Sequence, residues 1–215
     1  MMFLIDFDQT ISKQCSCATM IEHFATADTK EIDEQWEQGK LSTPAAMKEL
    51  FKILDMSEHN LFTAMKKVDI DPHFGDFLTM CEQKDNKYAI VSDGYSTIIS
   101  SILLNHSIIG RHRSIPIYSN ILKYYNYEWQ ASYPHFSEDT PNLGVSKSNI
   151  VKKYQQHSQV TFIGDGYTDY QAAKASDYVF AKSKLATYCE NQSIPYFHYN
   201  NFKDIINTCL DHNLI

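Results

Sequence analysis

Residues 3–10 read Phe3-Leu4-Ile5-Asp6-Phe7-Asp8-Gln9-Thr10, and the reading of this octet decides the fold. Phe3, Leu4 and Ile5 form a short apolar run that suits a buried strand. Asp6 and Asp8 follow where that strand should end. Carboxylates at i and i+2 project from one face of an extended chain, where each disfavours the ionisation of the other. A metal cation would resolve the crowding and leave two tasks: one carboxylate as nucleophile, the other as proton shuttle. An Asx-rich turn after a strand is the structural alternative, and a common one. The octet alone does not separate the two.

Three later stretches do. Residues 87–92, Lys-Tyr-Ala-Ile-Val-Ser, read as a strand ending in a hydroxyl, with Asp93-Gly94 behind it. Lys147 opens a helical pattern that reaches Tyr154. Residues 160–169, Val-Thr-Phe-Ile-Gly-Asp-Gly-Tyr-Thr-Asp, read as a strand ending in Gly164 and followed by two acids. Each alone has a plain reading: a turn Ser, a solvated Lys, a Gly-Asp-Gly turn. Together and in this order they resemble the haloacid dehalogenase superfamily of phosphohydrolases. Asp6, Asp8 and Thr10 match its first motif, Ser92 its second, Lys147 its third, and Asp165 with Asp169 its fourth. The resemblance spans residues 3 to about 182.

Around these motifs the pattern is that of an α/β fold. Strand-like runs fall near 87–92, 115–119, 160–164, 178–181 and 195–198. Helical patterns fall near 73–84, 95–105, 147–156, 168–175, 184–190 and 201–212. Such alternation implies a Rossmann-like core, a parallel sheet sandwiched by helices. Residues 13–71 read as almost wholly helical. Met20, Ile21 and Phe24 show helical spacing, Ser42-Thr43-Pro44 is a helix start, and Ser57 suits a cap. The expected organisation is a catalytic core of residues 1–12 and 72–215, with a small helical cap, 13–71, inserted after the first strand. Residues 115–137 are rich in aromatics, which suits sheet and hairpin packing, with a few left to line a pocket.

The chain has 215 residues, 43% hydrophobic and 21% charged, with a net charge of −7 and no basic run. That balance argues against nucleic acid or an anionic membrane as partner. Arg111 and Arg113 are the only arginines, so the usual bidentate clamp for carboxylates is scarce. Five cysteines do not suggest a disulfide framework in a chain this long. Cys15 and Cys17 read as buried or helix-surface thiols, with zinc as the lesser alternative. No secretory leader is evident, and no apolar run nears the ~20 residues that span a bilayer. The expected address is the cytoplasm; oligomeric state is not legible.

The resemblance assigns roles. Asp6 would attack phosphorus to give an aspartyl-phosphate, and Asp8 would protonate the leaving alcohol and later deprotonate water. Mg²⁺ would be held by Asp6, the carbonyl of Asp8, and Asp165, with Asp169 behind or directly on the ion. Ser92 and Lys147 would hold the phosphoryl group. Thr10, Asp93 and backbone N–H groups at Phe7 to Gln9 and at Asp93 would assist, although Thr10 also suits ordering the loop and Asp93 also suits a helix cap. Within the superfamily an acid at the position of Asp8 marks phosphoryl chemistry on an alcohol.

The cap position resembles the phosphoserine phosphatase branch, but the sequence departs from it. Cys15 stands where those enzymes carry Glu, residues 13–71 contain no Arg, and Gln9 replaces a small residue. A closer likeness is to phosphatases of 2-hydroxy-3-keto-5-methylthiopentenyl-1-phosphate in methionine salvage. It rests on cap length, the stretch from Trp129 to Pro134-His135, and Lys147-Ser148-x-Ile150. His135 suits a pocket or plain packing. The competing functions are a phosphatase or phosphotransferase for another small phosphate ester, a phospho-accepting signalling domain, and a binding protein without activity.

Overall fold

The computed structural model describes residues 1–214, apart from the Glu37 side chain. At its centre is β1 (Met2–Ile5), the apolar run that opens the chain. Its side chains alternate between two cores: Phe3 and Ile5 enter one, Met2 and Leu4 the other. A strand buried on both faces needs an apolar side chain at every position, which is why the run shows no polar alternation. β1 pairs in parallel with β2 (Lys87–Tyr95) and with β5 (Val160–Gly164). With β3 (Ile117–Tyr125), β4 (Glu128–Ser132), β6 (Tyr178–Ala181) and β7 (Phe197–His198), the sheet order is β4-β3-β2-β1-β5-β6-β7. Only the β3–β4 pairing is antiparallel.

Helices cover both faces. α5 (Phe74–Gln83), α6 (Ser96–Asn105) and α10 (Phe202–Asp211) bury the face that carries Phe3. Phe3 meets Phe77 edge-on at 5.2 Å, and Phe202 contacts Phe74 and Phe77 at 5.0 and 5.2 Å. Such pairs contribute about 0.5–1.5 kcal/mol each beyond their burial. α7 (Lys147–Gln155), α8 (Tyr170–Ala175) and α9 (Ser183–Asn191) close the other face through Ile150, Val151, Ala172, Ala173 and Leu185.

Four helices stand between β1 and α5: α1 (Ser16–Phe24), α2 (Lys30–Glu37), α3 (Thr43–Leu50) and α4 (Glu58–Met65). Ser42 and Ser57 cap α3 and α4 by accepting from the N–H groups of Ala45 and Asn60. The chain enters and leaves this block side by side. Ser12 bridges Ile70 in antiparallel fashion, Lys13 N–H donates to Asp69 C=O at 2.8 Å, and Asp71 N–H to Ile11 C=O at 2.8 Å. Among the described residues no helix is long and apolar enough to cross a membrane.

Two elements differ from the sequence reading. The sheet is not wholly parallel, because β3 runs on to Tyr125 and turns back as β4. The turn is two residues, Asn126 and Tyr127, both with positive φ (51° and 64°). Asn-Gly is the usual signal for that geometry, and Tyr127 hides it. β2 continues past Ser92 to Tyr95, with a shift in its register to β3 between Val91 and Tyr95, so Ser92 does not end the strand. α2 falls within residues 13–71, the stretch that reads as almost wholly helical.

Candidate active site

The site forms at the carboxyl ends of β1, β2 and β5, where open parallel sheets bind ligands. Asp6 follows β1 directly, and its N–H still donates to Ile163 C=O at 2.9 Å. Phe7 then turns into the core, and its carbonyl collects the N–H groups of Ile11 and Ser12, each at 2.9 Å. Gln9 lies in the left-handed region at φ 58°. That conformation costs a residue with a Cβ roughly 1–2 kcal/mol. The tight loop holds Asp6 and Asp8 at the sheet edge.

Lys147, the first residue of α7, is 1% exposed. Its Nζ donates to Asp6 Oδ1 at 2.6 Å, to Asp169 Oδ1 at 2.7 Å and to Thr168 Oγ1 at 3.1 Å, which engages all three ammonium hydrogens. The other Asp169 oxygen, Oδ2, accepts the N–H groups of Asp165 and Gly166, both at 3.0 Å. Asp169 therefore pins the turn after β5. A Cβ on Gly164 would fall 2.5 Å from Asp169 Oδ2, so the strand must end in glycine. Asp165 Oδ1 accepts from the Thr10 hydroxyl at 3.1 Å. Thr10 thus orients a carboxylate of the fourth motif, and its hydroxyl is not aimed at a phosphate.

Carboxylate oxygens of Asp6, Asp165 and Asp169 lie within 4.8 Å of one another, all three residues buried. Against one ammonium, three carboxylates leave two negative charges. Burial, then the Asp169 charge, pushes the Asp6 carboxyl well above its ordinary range, although Lys147 opposes the rise. The same two causes push Asp165 up to about 6. The carboxylates in turn raise Lys147 against the effect of its burial. The donor set is all hard oxygen, and the charge deficit is that of one divalent cation, so the residues fit such an ion. Among the described residues this is the only cluster of three or more acidic, His or Cys groups of that kind. Cys15 and Cys17 form no such site: burial pushes the Cys15 thiol up to about 12, and Cys17 Sγ sits 3.7 Å from Met47 Sδ.

Asp8 and Ser92 stand beside the cluster. The Ser16 N–H, at the start of α1, donates to Asp8 Oδ1. A Cβ built on Gly94 would meet Asp8 Oδ2 at 3.0 Å and Ser92 Oγ at 3.2 Å, so this glycine lets the two side chains flank one point. Burial raises the Asp8 carboxyl, with the Ser16 bonds opposing. A raised carboxyl holds its proton closer to neutrality, as a general acid requires. Ser92 is 1% exposed, and its Oγ accepts from Gly94 N–H at 3.0 Å.

Asp93 does neither of the two things expected of it. It does not cap α6, whose N-cap is Tyr95 and makes no side-chain cap bond. Nor is its carboxylate free for a ligand: it accepts from Thr43 Oγ1 at 2.8 Å, Val145 N–H at 2.8 Å and Asn120 Nδ2 at 3.3 Å. Gln9 N–H, expected to face phosphate, donates to Ser12 Oγ at 3.3 Å. His135 packs edge-on against Tyr118, with ring centres 5.4 Å apart, which is the plain reading of that residue. Thr168, Ser16, Gly94 and Thr43 are not among the site residues expected from sequence. Ser16 at a helix start next to the first motif is the one signal that could have been followed.

The family model described as Putative Phosphatase matches residues 1–193. Curated relatives include the 2-hydroxy-3-keto-5-methylthiopentenyl-1-phosphate phosphatase of Bacillus cytotoxicus, 29% identical over 210 residues, covering 94% of this chain and 92% of that protein. Pdp3-interacting factor 1 of Schizosaccharomyces pombe is 28% identical over 211 residues, covering 93% and 90%. Among solved structures, a substrate-bound phosphoserine phosphatase superposes with a TM-score of 0.73 at 14% identity, over 96% of this chain and 97% of that one.

Proposed function

We propose a reaction from a fixed premise: this chain belongs to the Putative Phosphatase family and is a phosphatase of the haloacid dehalogenase superfamily. In our reading it hydrolyses a small phosphate monoester in two steps. A carboxylate oxygen of Asp6 forms a bond to phosphorus as the ester P–O bond breaks, and Asp8 gives its proton to the departing alkoxide. Asp8 then takes a proton from a water whose oxygen attacks phosphorus, the bond to Asp6 breaks, and inorganic phosphate leaves. Ser92 holds an equatorial oxygen, Lys147 places its positive charge beside Asp6 and the phosphoryl group, and Thr10 and Asp169 orient Asp165. Asp6, Asp165 and the Asp8 carbonyl would hold Mg²⁺, with Asp169 alongside, and the bound ion would supply the positive charge that lets an anionic nucleophile approach an anionic ester.

The observation that carries this reading is the buried ammonium of Lys147, bonded to Asp6 at 2.6 Å and to Asp169 at 2.7 Å, with Asp165 in the same cluster. A static ion pair needs one carboxylate; two on the ammonium and a third within the same cluster suit a further cation.

For the substrate we propose an ester with an apolar tail, of the kind named for the Bacillus cytotoxicus relative. Residues 13–71, read as a cap, have no Arg to pair with an amino-acid carboxylate. They set Cys17, Met47 and Phe51 toward the core, Phe51 facing Tyr95 with ring centres 6.1 Å apart. The cytoplasm is the proposed address. The test compares the purified protein with its Asp6→Asn variant, with Mg²⁺, over a panel of phosphate esters. It should include para-nitrophenyl phosphate, phosphoserine and the methylthiopentenyl ester. We expect kcat/KM to be highest for the apolar-tailed ester. No turnover above that of the variant on any ester would overturn the assignment of Asp6.

A further inference from the structure

We propose that the hydrogen bond from Thr43 to Asp93 is a positioning contact through which closure of the 13–71 segment is sensed at the phosphate-holding residues. The inference rests on the phosphatase reading and on that segment acting as a cap.

The two oxygens of Asp93 are served from different sides. Oδ1 is held within the core by Val145 N–H at 2.8 Å and Asn120 Nδ2 at 3.3 Å. Asn120 Nδ2 also donates to the Asp93 carbonyl at 2.6 Å. Oδ2 accepts from Thr43 Oγ1, on α3, at 2.8 Å. The core supplies two of the donors to the carboxylate, and Thr43 supplies the third. Gly144 is part of that fixture. A Cβ there would fall 2.8 Å from Asp93 Oδ1 and 2.7 Å from Asn120 Nδ2, so only a glycine lets the three groups meet.

Thr43 is fixed in turn by Trp36 on its own side and by Asn142 on the core side. The indole N–H of Trp36 donates to Thr43 Oγ1 at 3.1 Å, which leaves the hydroxyl hydrogen directed at Asp93. Thr43 N–H donates to Asn142 C=O at 2.9 Å, and Trp36 packs edge-on against Tyr167 with ring centres 6.4 Å apart.

The contact lies between the two groups that would grip the phosphoryl oxygens. Asp93 follows Ser92 in β2. Val145, which binds Asp93, is two residues before Lys147. A cap held open by an oversized substrate removes Thr43 from Oδ2 and leaves that oxygen to water, so Asp93 keeps only its bonds to Val145 and Asn120. The loops that carry Ser92 and Lys147 then loosen together. Closure and phosphate grip are coupled, and substrates that fit under the closed cap are favoured.

Thr43→Val keeps the shape and removes the donor; Thr43→Ser restores the donor. The first measurement is hydrogen exchange of the metal-free protein. Amides of residues 36–50 should exchange on the order of tenfold faster in Thr43→Val than in wild type, the low end for loss of one bond to a charged acceptor. Those of residues 160–165, which serve as reference, should not change. The second is turnover of para-nitrophenyl phosphate with Mg²⁺. Thr43→Val should lower kcat/KM about tenfold, and Thr43→Ser should recover most of the loss. Trp36→Phe keeps an aromatic ring, smaller than the indole, and loses the N–H that aligns Thr43, and should act in the same direction. It decides the matter if Thr43→Val does not fold. Wild-type exchange and wild-type kcat/KM in both Thr43→Val and Trp36→Phe would overturn the proposal. Absence of wild-type turnover would refute the phosphatase reading and leave the exchange measurement to judge the contact on its own.

Discussion

The carboxylate cluster and the face that α1 and α3 present to it are built on opposite terms. In the cluster, Asp6, Asp165, Asp169 and Lys147 are locked by short charge-assisted bonds, and each group has at least one partner among the others or in the turns beside them. On the facing side, Cys17, Met47 and Phe51 present thiol, thioether and ring, and polar contact with the core passes through single bonds such as Thr43 to Asp93 and Trp129 Nε1 to Met56 C=O at 2.9 Å. One surface is over-determined and carries excess negative charge; the other is soft and neutral. The contrast teaches where chemistry and selectivity can change independently. A substitution in the cluster disturbs every partner at once, whereas one on the facing side alters shape locally.

The largest effect should come from Asp6→Asn, which is expected to lower phosphate release from para-nitrophenyl phosphate on the order of 10⁴-fold or more, as loss of a covalent nucleophile does. Residual turnover near wild type would break the contrast at its root. Lys147→Ala comes next. It leaves Asp6 and Asp169 buried without their ammonium and should cost about 3–5 kcal/mol of stability in the metal-free protein, measured by denaturant unfolding. Added Mg²⁺ should return part of that loss.

A smaller effect concerns pH. The Asp165 carboxyl is raised to about 6, so between its unfolded value and that pH the folded state binds the extra proton. Stability from this group is therefore full in acid and is lost as pH rises through about 6. Metal-free Asp165→Asn should show a shallower fall in thermal midpoint from pH 4 to 7 than wild type, and Mg²⁺ should flatten the wild-type curve. Equal slopes would show that the cluster is not charge-strained. The smallest effect should be that of Gln9→Gly, which relieves the left-handed backbone at φ 58° and is expected to stabilise by roughly 0.5–1 kcal/mol in the same unfolding assay.

Much of the cluster was legible because its members sit at the ends of strands with distinct patterns: a three-residue apolar run before Asp6, and Val160 to Gly164 before Asp165. Those local rules converge on one edge of the sheet once the strands are parallel. The contacts on Asp93 were not legible. Thr43 lies fifty residues from Asp93 and Val145 fifty-two, and a hydrogen bond across such a separation leaves no periodicity to read. The bond from Thr10 to Asp165 is hidden for the same reason, since the two are 155 residues apart. The β3–β4 turn was hidden by chemistry: Tyr127 takes a positive φ that glycine normally marks.

The paired passage of the chain at residues 11–13 and 69–71 has a mechanical consequence. Two tethers joined by hydrogen bonds resist twisting about one another far more than either would alone. If the helical block swings, it does so about a single axis through Ser12 and Ile70, like a door on one edge. Points far from that axis travel furthest for a given rotation, and small ones near it hardly move. A substrate would then enter by the free edge, and its length, more than its breadth, would decide whether the door can shut.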